Sequence, residues 1–189
     1  MPSRDPNSVW RRMFRRTGSI LCTLGLVVIA FLTVSLAEGF PVKVLVVTSS
    51  SMEPTLHCAG APGCLSLHPD RLVFFRWAYG WLGSPARGDI VLIKLLPTHE
   101  KCEAGQLIVK RVIGLGGDRI RETRGVIFRD GSPLKTSSTQ PSTKNFGPVQ
   151  VPNGEFFVLG DNVAISCDSR TFGLIARSQV LGKLVLRLR

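Results

Sequence analysis

Histidine is scarce in this chain of 189 residues, which has only His57, His68 and His99. A Ser-His-Asp triad needs a histidine beside its serine, but these three lie among loop residues, two of them next to a proline or a cysteine. Because a lone loop histidine is more often solvated than catalytic, the sequence argues against a triad. The histidines also have no regular ligand spacing around the cysteines, which argues against a zinc site.

Charge is missing altogether from residues 17–37, TGSILCTLGLVVIAFLTVSLA. As a helix, the apolar residues 20–37 would extend for about 27 Å, close to the roughly 30 Å hydrocarbon core of a bilayer. Five arginines precede the segment and one lysine soon follows it, so the positive-inside rule puts the N-terminus in the cytoplasm. We predict a basic cytoplasmic tail at 1–18, a transmembrane anchor at 19–37 and an exported domain at 38–189.

A cleavable signal peptide is the alternative reading of this segment. Ser35-Leu36-Ala37 is similar to a small-x-small cleavage site, but the apolar run is longer than the usual h-region of ~7–15 residues. Both readings export the rest of the chain. The favoured one predicts a single-pass protein of the plasma membrane, with its N-terminus in the cytoplasm and residues 38–189 outside.

Acidic residues are also few, with 13 Asp and Glu against 24 Lys and Arg, a formal net charge of +11. A basic exported domain on a short tether suits an anionic membrane surface, so we expect the lipid bilayer as a partner. Nucleic acid is the other reading of such a charge. The sequence has no nucleic-acid-binding motif, and we do not predict that partner.

Five cysteines are present, with Cys22 inside the apolar segment and four beyond it. An even number in an exported domain favours disulfides. Four cysteines allow three pairings; Cys58–Cys64 closes a short loop and is the first choice, and Cys102–Cys167 would follow. Free thiols and, less favoured, a metal site are the alternatives.

Short apolar and β-branched runs separated by glycine, proline and aspartate turns predict a mostly β domain. We expect an antiparallel sandwich or partly open barrel, with no helix after residue 39. Strands or hairpins are predicted at 42–47, 86–94, 106–118, 125–134, 154–162 and 181–189.

Two segments of the exported part are less regular. Residues 136–144 are polar and predicted to be an irregular, mobile loop. Residues 73–83 contain five aromatic side chains, which predicts either a core or edge strand or a patch at the membrane interface, where tryptophan and tyrosine are favoured.

The stretch TSSSMEPTLHCAG at 48–60 raises the question of a nucleophilic serine. Lysine is the other known base for serine, provided that burial lowers its pKa far enough to leave it neutral. Lys110 satisfies this requirement, because LIVKRVIG surrounds it with apolar strand residues. By this test alone Lys94, in VLIKLL, fits nearly as well.

Four segments in sequence order resemble the motifs of the type I signal peptidases. They are SMEPTL at 51–56, RGDIV at 87–91, KRVIGLGGD at 110–118, and GDN at 160–162 followed by SCDSR at 166–170 and FG at 172–173. They cover nearly the whole exported domain, and the cysteine-bearing loops are most similar to bacterial members of the high-GC Gram-positive type. The resemblance implies that Ser51 is the nucleophile and Lys110 the general base.

The resemblance also implies supporting roles. The hydroxyl of Ser49 and the backbone N–H of Ser51 would form the oxyanion hole, and Ser166 would orient the lysine amine. Asp168 and Arg170 would pair to hold their loop, and Asp161 and Asn162 are interpreted as structural turn formers. Shallow substrate pockets would be lined by Val47, Met52, Leu56 and Val109.

Two features depart from larger or more typical relatives. Residues 163–165 read Val-Ala-Ile, where many members of the family carry polar or charged residues, often an arginine directly after the asparagine. This difference argues against an electrostatic role for the loop. The stretch 119–154, where larger members of the family insert a second domain, is short in this chain, which predicts a small cap or a single hairpin.

The resulting hypothesis is a membrane-bound serine endopeptidase that cuts secretory preproteins after Ala-x-Ala, with no cofactor and no metal. A pilin or conjugation-type processing peptidase and an organellar inner-membrane peptidase are close alternatives. A membrane-anchored β domain that binds without cleaving is a further one. A self-cleaving repressor is disfavoured, because it needs a DNA-binding domain and no anchor.

Overall fold

A computed structural model of the chain describes residues 23–30, 41–79, 83–96, 102, 106–135 and 145–189. The chain divides into two compact units, Met1–Pro41 and Val42–Arg189. In the first unit, residues 23–30 are helical and have exposed side chains. None of the helices within the described residues has the length and apolar character needed to cross a membrane. The predicted tail and most of the predicted anchor lie outside the described residues, and both stay predictions.

The second unit is built from two antiparallel sheets, which confirms the predicted mostly β fold. Its described strands are β1 Val42–Val46, β2 Arg71–Phe75, β3 Ile90–Lys94, β4 Leu107–Gly114, β5 Arg119–Thr123, β6 Val126–Arg129, β7 Ser132–Pro133, β8 Phe146–Gln150, β9 Glu155–Leu159, β10 Ile175–Ala176 and β11 Val180–Leu188. The larger sheet has the order β1-β2-β11-β3-β4-β9-β10, and the smaller one β7-β6-β5-β8. Neighbouring strands of the described residues run antiparallel in both sheets.

The smaller sheet occupies the region predicted to be a small cap or a hairpin. Its tight β6–β7 turn is Asp130-Gly131, with φ of 51° and 82°, as expected for an Asp-Gly hairpin. Ile120 and Ile127 of this sheet pack with Phe157 and Leu159 of β9. The ring centroids of Phe146 and Phe157 are 5.6 Å apart, so the two sheets share an apolar core.

The prediction that no helix follows residue 39 is wrong in one place. Ser169–Phe172 forms a short α-helix whose first turn is capped by the side chain of Asp168. A capping aspartate stabilises a helix start by accepting a hydrogen bond from a free backbone N–H. Four residues are too few to give the apolar periodicity by which a helix is recognised in a sequence.

The aromatic segment is only partly described. Val73 belongs to β2, which lies between β1 and β11 and is therefore not an edge strand. A 3-10 turn, Arg76–Tyr79, follows it. Phe74 and Tyr79 are buried, in agreement with the core reading; residues 80–82 lie outside the described residues, as does the polar segment 136–144.

Both disulfides of the favoured pairing are formed. Cys58 and Cys64 are bonded across a Cα–Cα distance of 5.0 Å, and Cys102 and Cys167 across 6.1 Å. The first bridge closes the loop that follows the serine cluster. The second ties Cys102 to the segment between Asn162 and Ser169.

Candidate active site

Ser51 lies in a 3-10 turn, Ser50–Met52, shortly after the edge strand β1. We call it the nucleophile turn, after the role that the resemblance implies for Ser51. Met52 is buried in an apolar cluster with Leu56 and Leu72, and this burial fixes the turn from below. The backbone of the turn is also held from the opposite loop, because Asn162 donates its N–H to Ser51 O at 3.1 Å and its Nδ2–H to Ser50 O at 3.2 Å.

Lys110 enters the site from β4, where it pairs with Val91 of β3. Its Nζ lies 2.8 Å from the Oγ of Ser51, and the side chain is 3% exposed. Burial lowers the pKa of Lys110 to about 8; Asp168 and Asp161 oppose this decrease, and Arg170 adds to it. A substantial share of the amines is therefore neutral at slightly alkaline pH, as a general base requires.

The other candidate bases are placed elsewhere. Lys94 is the exposed last residue of β3. His57 contacts Glu53, with 2.6 Å between Nδ1 and Oε2, and His68 is exposed. His99 lies outside the described residues. Of the candidate bases that the structure describes, Lys110 is the one that is hydrogen-bonded to Ser51.

Ser49 and Ser51 face the same space, with 3.3 Å between their hydroxyl oxygens. Ser49 has extended backbone and an exposed side chain. A hydroxyl in this position can donate a hydrogen bond beside Ser51, the candidate nucleophile. The geometry is compatible with the oxyanion role that the resemblance implies.

Ser166 does not make the hydrogen bond to the lysine amine that was expected of it. Its hydroxyl is buried and has no hydrogen-bond partner among the described residues. Instead the side chain packs tightly on Gly160: a Cβ built on that glycine would lie 2.2 Å from the Ser166 Oγ and 2.5 Å from the Ser51 carbonyl oxygen. The hydroxyl is thus next to the nucleophile turn, and an unpaired buried donor is available there.

Asp168 and Arg170 form the expected pair. The Nε and Nη2 of Arg170 donate to the two carboxylate oxygens of Asp168, each at 2.8 Å. Nη2 also donates to the carbonyl of Val163 at 2.7 Å, and Gly160 N–H donates to Asp168 at 3.2 Å. The pair therefore braces the whole loop from Gly160 to Arg170.

Asp161, interpreted from the sequence as a turn former, has a second contact. Its carboxylate accepts two hydrogen bonds from Arg111, at 2.8 Å and 2.5 Å, and Arg111 also donates to the carbonyl of Gly88 at 2.9 Å. Arg111 directly follows Lys110, so this pair fixes β4 at the site. A bidentate arginine–carboxylate pair is geometrically specific.

A groove of about 740 Å³ runs from Ser51 and Lys110 between β1 and the beginning of β4. All four predicted pocket residues line it, together with exposed Ile165 and the Cys102–Cys167 bridge: Val47, Met52, Leu56 and Val109. β1 is the outer strand of its sheet, and β9 pairs with β4 only from Arg111 onward. Both sides of the groove therefore offer unpaired strand edges.

Sequence reasoning missed several contributors to this site. The sequence presents Asn162 as a turn former, yet its side chain donates to the nucleophile turn across 112 residues of chain. Ile165 stands out in the sequence only as a departure from the family pattern, yet it lines the groove. The described residues contain no group of three histidine, cysteine, aspartate or glutamate side chains placed to hold a metal ion.

Comparisons with known proteins agree with the resemblance. Residues 20–188 match the family described as signal peptidase, peptidase S26. A probable signal peptidase I-2 of Synechocystis sp. is 34% identical over 142 residues, which cover 75% of this chain and 60% of that protein. A signal peptidase I of Leptolyngbya laminosa is 32% identical over 170 residues, 87% of this chain and 76% of that protein.

Among solved structures, the crystal structure of a signal peptidase I from Enterococcus faecalis is similar to this chain. It is 30% identical, covers 54% of this chain and 97% of the compared chain, and has a TM-score of 0.44.

Proposed function

The chain belongs to the signal peptidase family of S26 peptidases, and we propose that it is a membrane-bound serine endopeptidase that removes signal peptides from exported preproteins. Ser51 is the nucleophile and Lys110 its general base. The observation that carries the proposal is the 2.8 Å contact between Nζ and Oγ, made by an amine that is almost fully buried.

In the first step, neutral Lys110 takes the proton of the Ser51 hydroxyl as Oγ attacks the carbonyl carbon of the scissile bond. The negative charge that develops on the carbonyl oxygen is stabilised by the hydroxyl of Ser49 and the N–H of Ser51. Lys110 then donates its proton to the leaving amine. A water molecule, deprotonated by Lys110, attacks the acyl carbon, the bond to Oγ breaks, and Lys110 returns the proton to the Ser51 hydroxyl.

The groove supports the substrate assignment. An extended peptide can add as a strand beside residues 44–49, because β1 has an open edge and β-augmentation uses backbone hydrogen bonds first. Val47, Met52, Leu56 and Val109 line the groove near Ser51. Their apolar side chains suit the small residues of an Ala-x-Ala cleavage site.

The membrane part of the proposal rests on the sequence. The charge-free residues 17–37 follow five arginines, so we propose a single-pass anchor with residues 38–189 outside the cytoplasm. A protease added to intact spheroplasts tests this topology. It should degrade residues 38–189 and spare the N-terminal tail, whereas full protection of the domain would contradict the orientation.

The catalytic proposal is tested on the full chain in detergent, with a preprotein that carries an Ala-x-Ala site. Ser51→Ala should abolish cleavage, and Lys110→Ala should lower kcat/KM by about 10²- to 10⁴-fold, since a general base contributes that much. Lys94→Ala is the matched control and should cleave at the rate of the wild type.

The pH dependence gives a second readout. Because the neutral amine is the active form, kcat/KM should rise with pH through about 8, the value to which burial lowers the pKa of Lys110.

A Lys110→Ala variant that cleaves at full rate would refute the assignment of Ser51 and Lys110 as a catalytic dyad. Binding of the preprotein without Ser51-dependent cleavage would favour the binding-domain alternative, and cleavage only of pilin-type substrates would favour the processing-peptidase alternative.

A further inference from the structure

A buried carboxylate in the smaller sheet is not explained by the chemistry of the dyad. Glu122 lies on β5, whose inward positions are Ile120 and Glu122. Ile120 belongs to the apolar core between the sheets, so by strand periodicity Glu122 faces the same interior. Its side chain is 0% exposed. A buried ionised carboxylate is expensive unless a partner offsets the lost hydration.

The partner of Glu122 is Arg170. Nη1 of the arginine lies 3.6 Å from Oε2 of Glu122, and neither carboxylate oxygen has a hydrogen-bond partner among the described residues. The Nε and Nη2 of Arg170 are bonded to Asp168. The guanidinium is therefore held between two buried carboxylates, one from each side, and the side chain of Arg170 is 1% exposed.

The contacts continue from Arg170 to the nucleophile. Asp168 accepts the N–H of Gly160 at 3.2 Å, and Gly160 separates the Ser166 hydroxyl from the carbonyl of Ser51 with no room for a methyl group. Asp168 and Arg170 are also among the charges that act on Lys110. A change in the position of Arg170 should therefore alter both the packing around Ser51 and the charges that act on Lys110.

We propose that Glu122 is a positioning residue of the active site, which holds the guanidinium of Arg170 from the smaller sheet and thereby fixes the loop that carries Ser166 and Asp168. This role rests on the proposed dyad and extends it. A glutamate at an inward strand position, where the neighbouring inward residue is isoleucine, contradicts the local apolar pattern. Such departures are expected at functional sites.

The charge of Glu122 has a measurable consequence for the base. The charged groups that act on Lys110 are Asp168 and Asp161, which raise its pKa, and Arg170, which lowers it; Arg111 is paired with Asp161. When substitution by glutamine removes the charge of residue 122, the positive charge of Arg170 is less compensated. The pKa of Lys110 then decreases further, and the rise of kcat/KM moves to lower pH.

The test compares Glu122→Gln with Asp118→Asn in the full chain. Asp118 is a matched control, because it is a buried carboxylate that directly precedes β5, and it pairs with Arg87 at 2.6 Å, away from the loop of Arg170. Glu122→Gln should lower kcat/KM by about 10- to 100-fold, as expected for a misplaced catalytic loop. It should also move the rising limb of the pH profile down by about half a unit.

Asp118→Asn should lose thermal stability while keeping the pH profile of the wild type. A merely structural role of Glu122 would lower the melting temperature and leave the pH profile in place, so identical behaviour of the two variants would overturn the inference. Glu122→Asp keeps the charge at a longer distance from Arg170. It should reduce the rate and leave the limb of the pH profile where the wild type has it.

Two further outcomes are decisive. If Glu122→Gln does not fold, Glu122→Asp decides: a reduced kcat/KM at the melting temperature of the wild type supports the role. The full rate of the wild type, or a loss of rate that accompanies a lower melting temperature, contradicts it. If Lys110→Ala retains full activity, the dyad itself has failed and the inference falls with it. If only the inference about Glu122 is wrong, the Lys110→Ala and Ser51→Ala variants are still inactive, so the two failures are distinguishable.

Discussion

The contact between Lys110 and Ser51 depends on opposing effects on one amine. Removal from water disfavours the ammonium form, and this is the largest contribution to the lowered pKa of Lys110. The nearby carboxylates of Asp168 and Asp161 favour the charged form and prevent a larger decrease. The result is a pKa of about 8, at which the amine can both take and return a proton near neutral pH.

The close approach of the nucleophile turn to Ser166 depends on Gly160. In Gly160→Ala the new methyl group would lie 2.2 Å from the Ser166 Oγ and 2.5 Å from the Ser51 carbonyl oxygen, so one of the two must move. We expect kcat/KM to fall by about 10²-fold, as for a catalytic group displaced by about 1 Å, and stability to fall by about 1–3 kcal/mol through overpacking.

Gly147→Ala is the control for this substitution. Gly147 lies in β8, and a Cβ there meets no atom within 4 Å. Kinetics and thermal melting of both variants check the prediction. A Gly160→Ala enzyme with the kcat/KM of the wild type would show that the close approach has no role in catalysis.

Among the larger elements, the loop from Gly160 to Arg170 gathers more of the site than any single strand. It supplies the hydrogen bonds of Asn162 to the nucleophile turn and the pair of Asp168 with Arg170. The disulfide from Cys167 to Cys102 ties it to the chain that follows β3. Up to Asp168 the loop is irregular, so its shape depends on these contacts rather than on a backbone ladder.

The two disulfides should contribute unequally to stability. In the chain-entropy account, a bridge that closes a longer loop restricts the unfolded chain more. The Cys102–Cys167 bridge spans a sequence separation of 65 and the Cys58–Cys64 bridge one of 6. Replacing Cys102 and Cys167 by serine should therefore lower the free energy of unfolding by about 4 kcal/mol. Replacing Cys58 and Cys64 by serine should lower it by about 2 kcal/mol.

Urea unfolding of the two double variants under oxidising conditions measures this difference. Each variant is the control of the other, because both replace one disulfide with two serines. An equal loss, or a larger loss for the short loop, would contradict the entropic origin.

For the molecule as a whole, Lys110, the proposed general base, is a source of instability. Lys110 is 3% exposed, and its pKa is lowered on folding from 10.5 to about 8. Below about pH 8 Lys110 is protonated in the folded state, although the buried amine binds this proton less tightly than the same amine in the unfolded chain. Between pH 8 and 10.5 the unfolded chain binds more protons, so stability rises with pH, and above 10.5 the penalty is gone.

Lys110→Met should consequently be inactive and more stable than the wild type near pH 7. The difference in the free energy of unfolding between the two proteins should shrink by about 3 kcal/mol between pH 8 and 10.5. Urea unfolding of both proteins across this range checks it, and groups common to both cancel in the comparison. A difference that does not change with pH would mean that the folded lysine titrates at its ordinary pKa.

Much of the fold was readable from local patterns. Apolar alternation, Gly and Asp turns and the Asp130-Gly131 hairpin predicted short antiparallel strands, because a strand records its two faces in neighbouring residues. The serine cluster and an apolar strand around Lys110 also stand out locally. By this reasoning, however, Lys94 was nearly as good a base, and motif resemblance was needed to choose between them.

The remaining features depend on contacts between distant parts of the chain. Lys110 meets Ser51 across 59 residues and Asn162 meets Ser50 across 112, distances over which no periodicity in the sequence specifies a partner. The unpaired hydroxyl of Ser166 and the ion pair of Glu122 with Arg170 depend on how the sheets and the loop pack. Residue types and spacings thus determine strands and candidate chemistry, whereas strand register and packing select which of the candidate side chains meet.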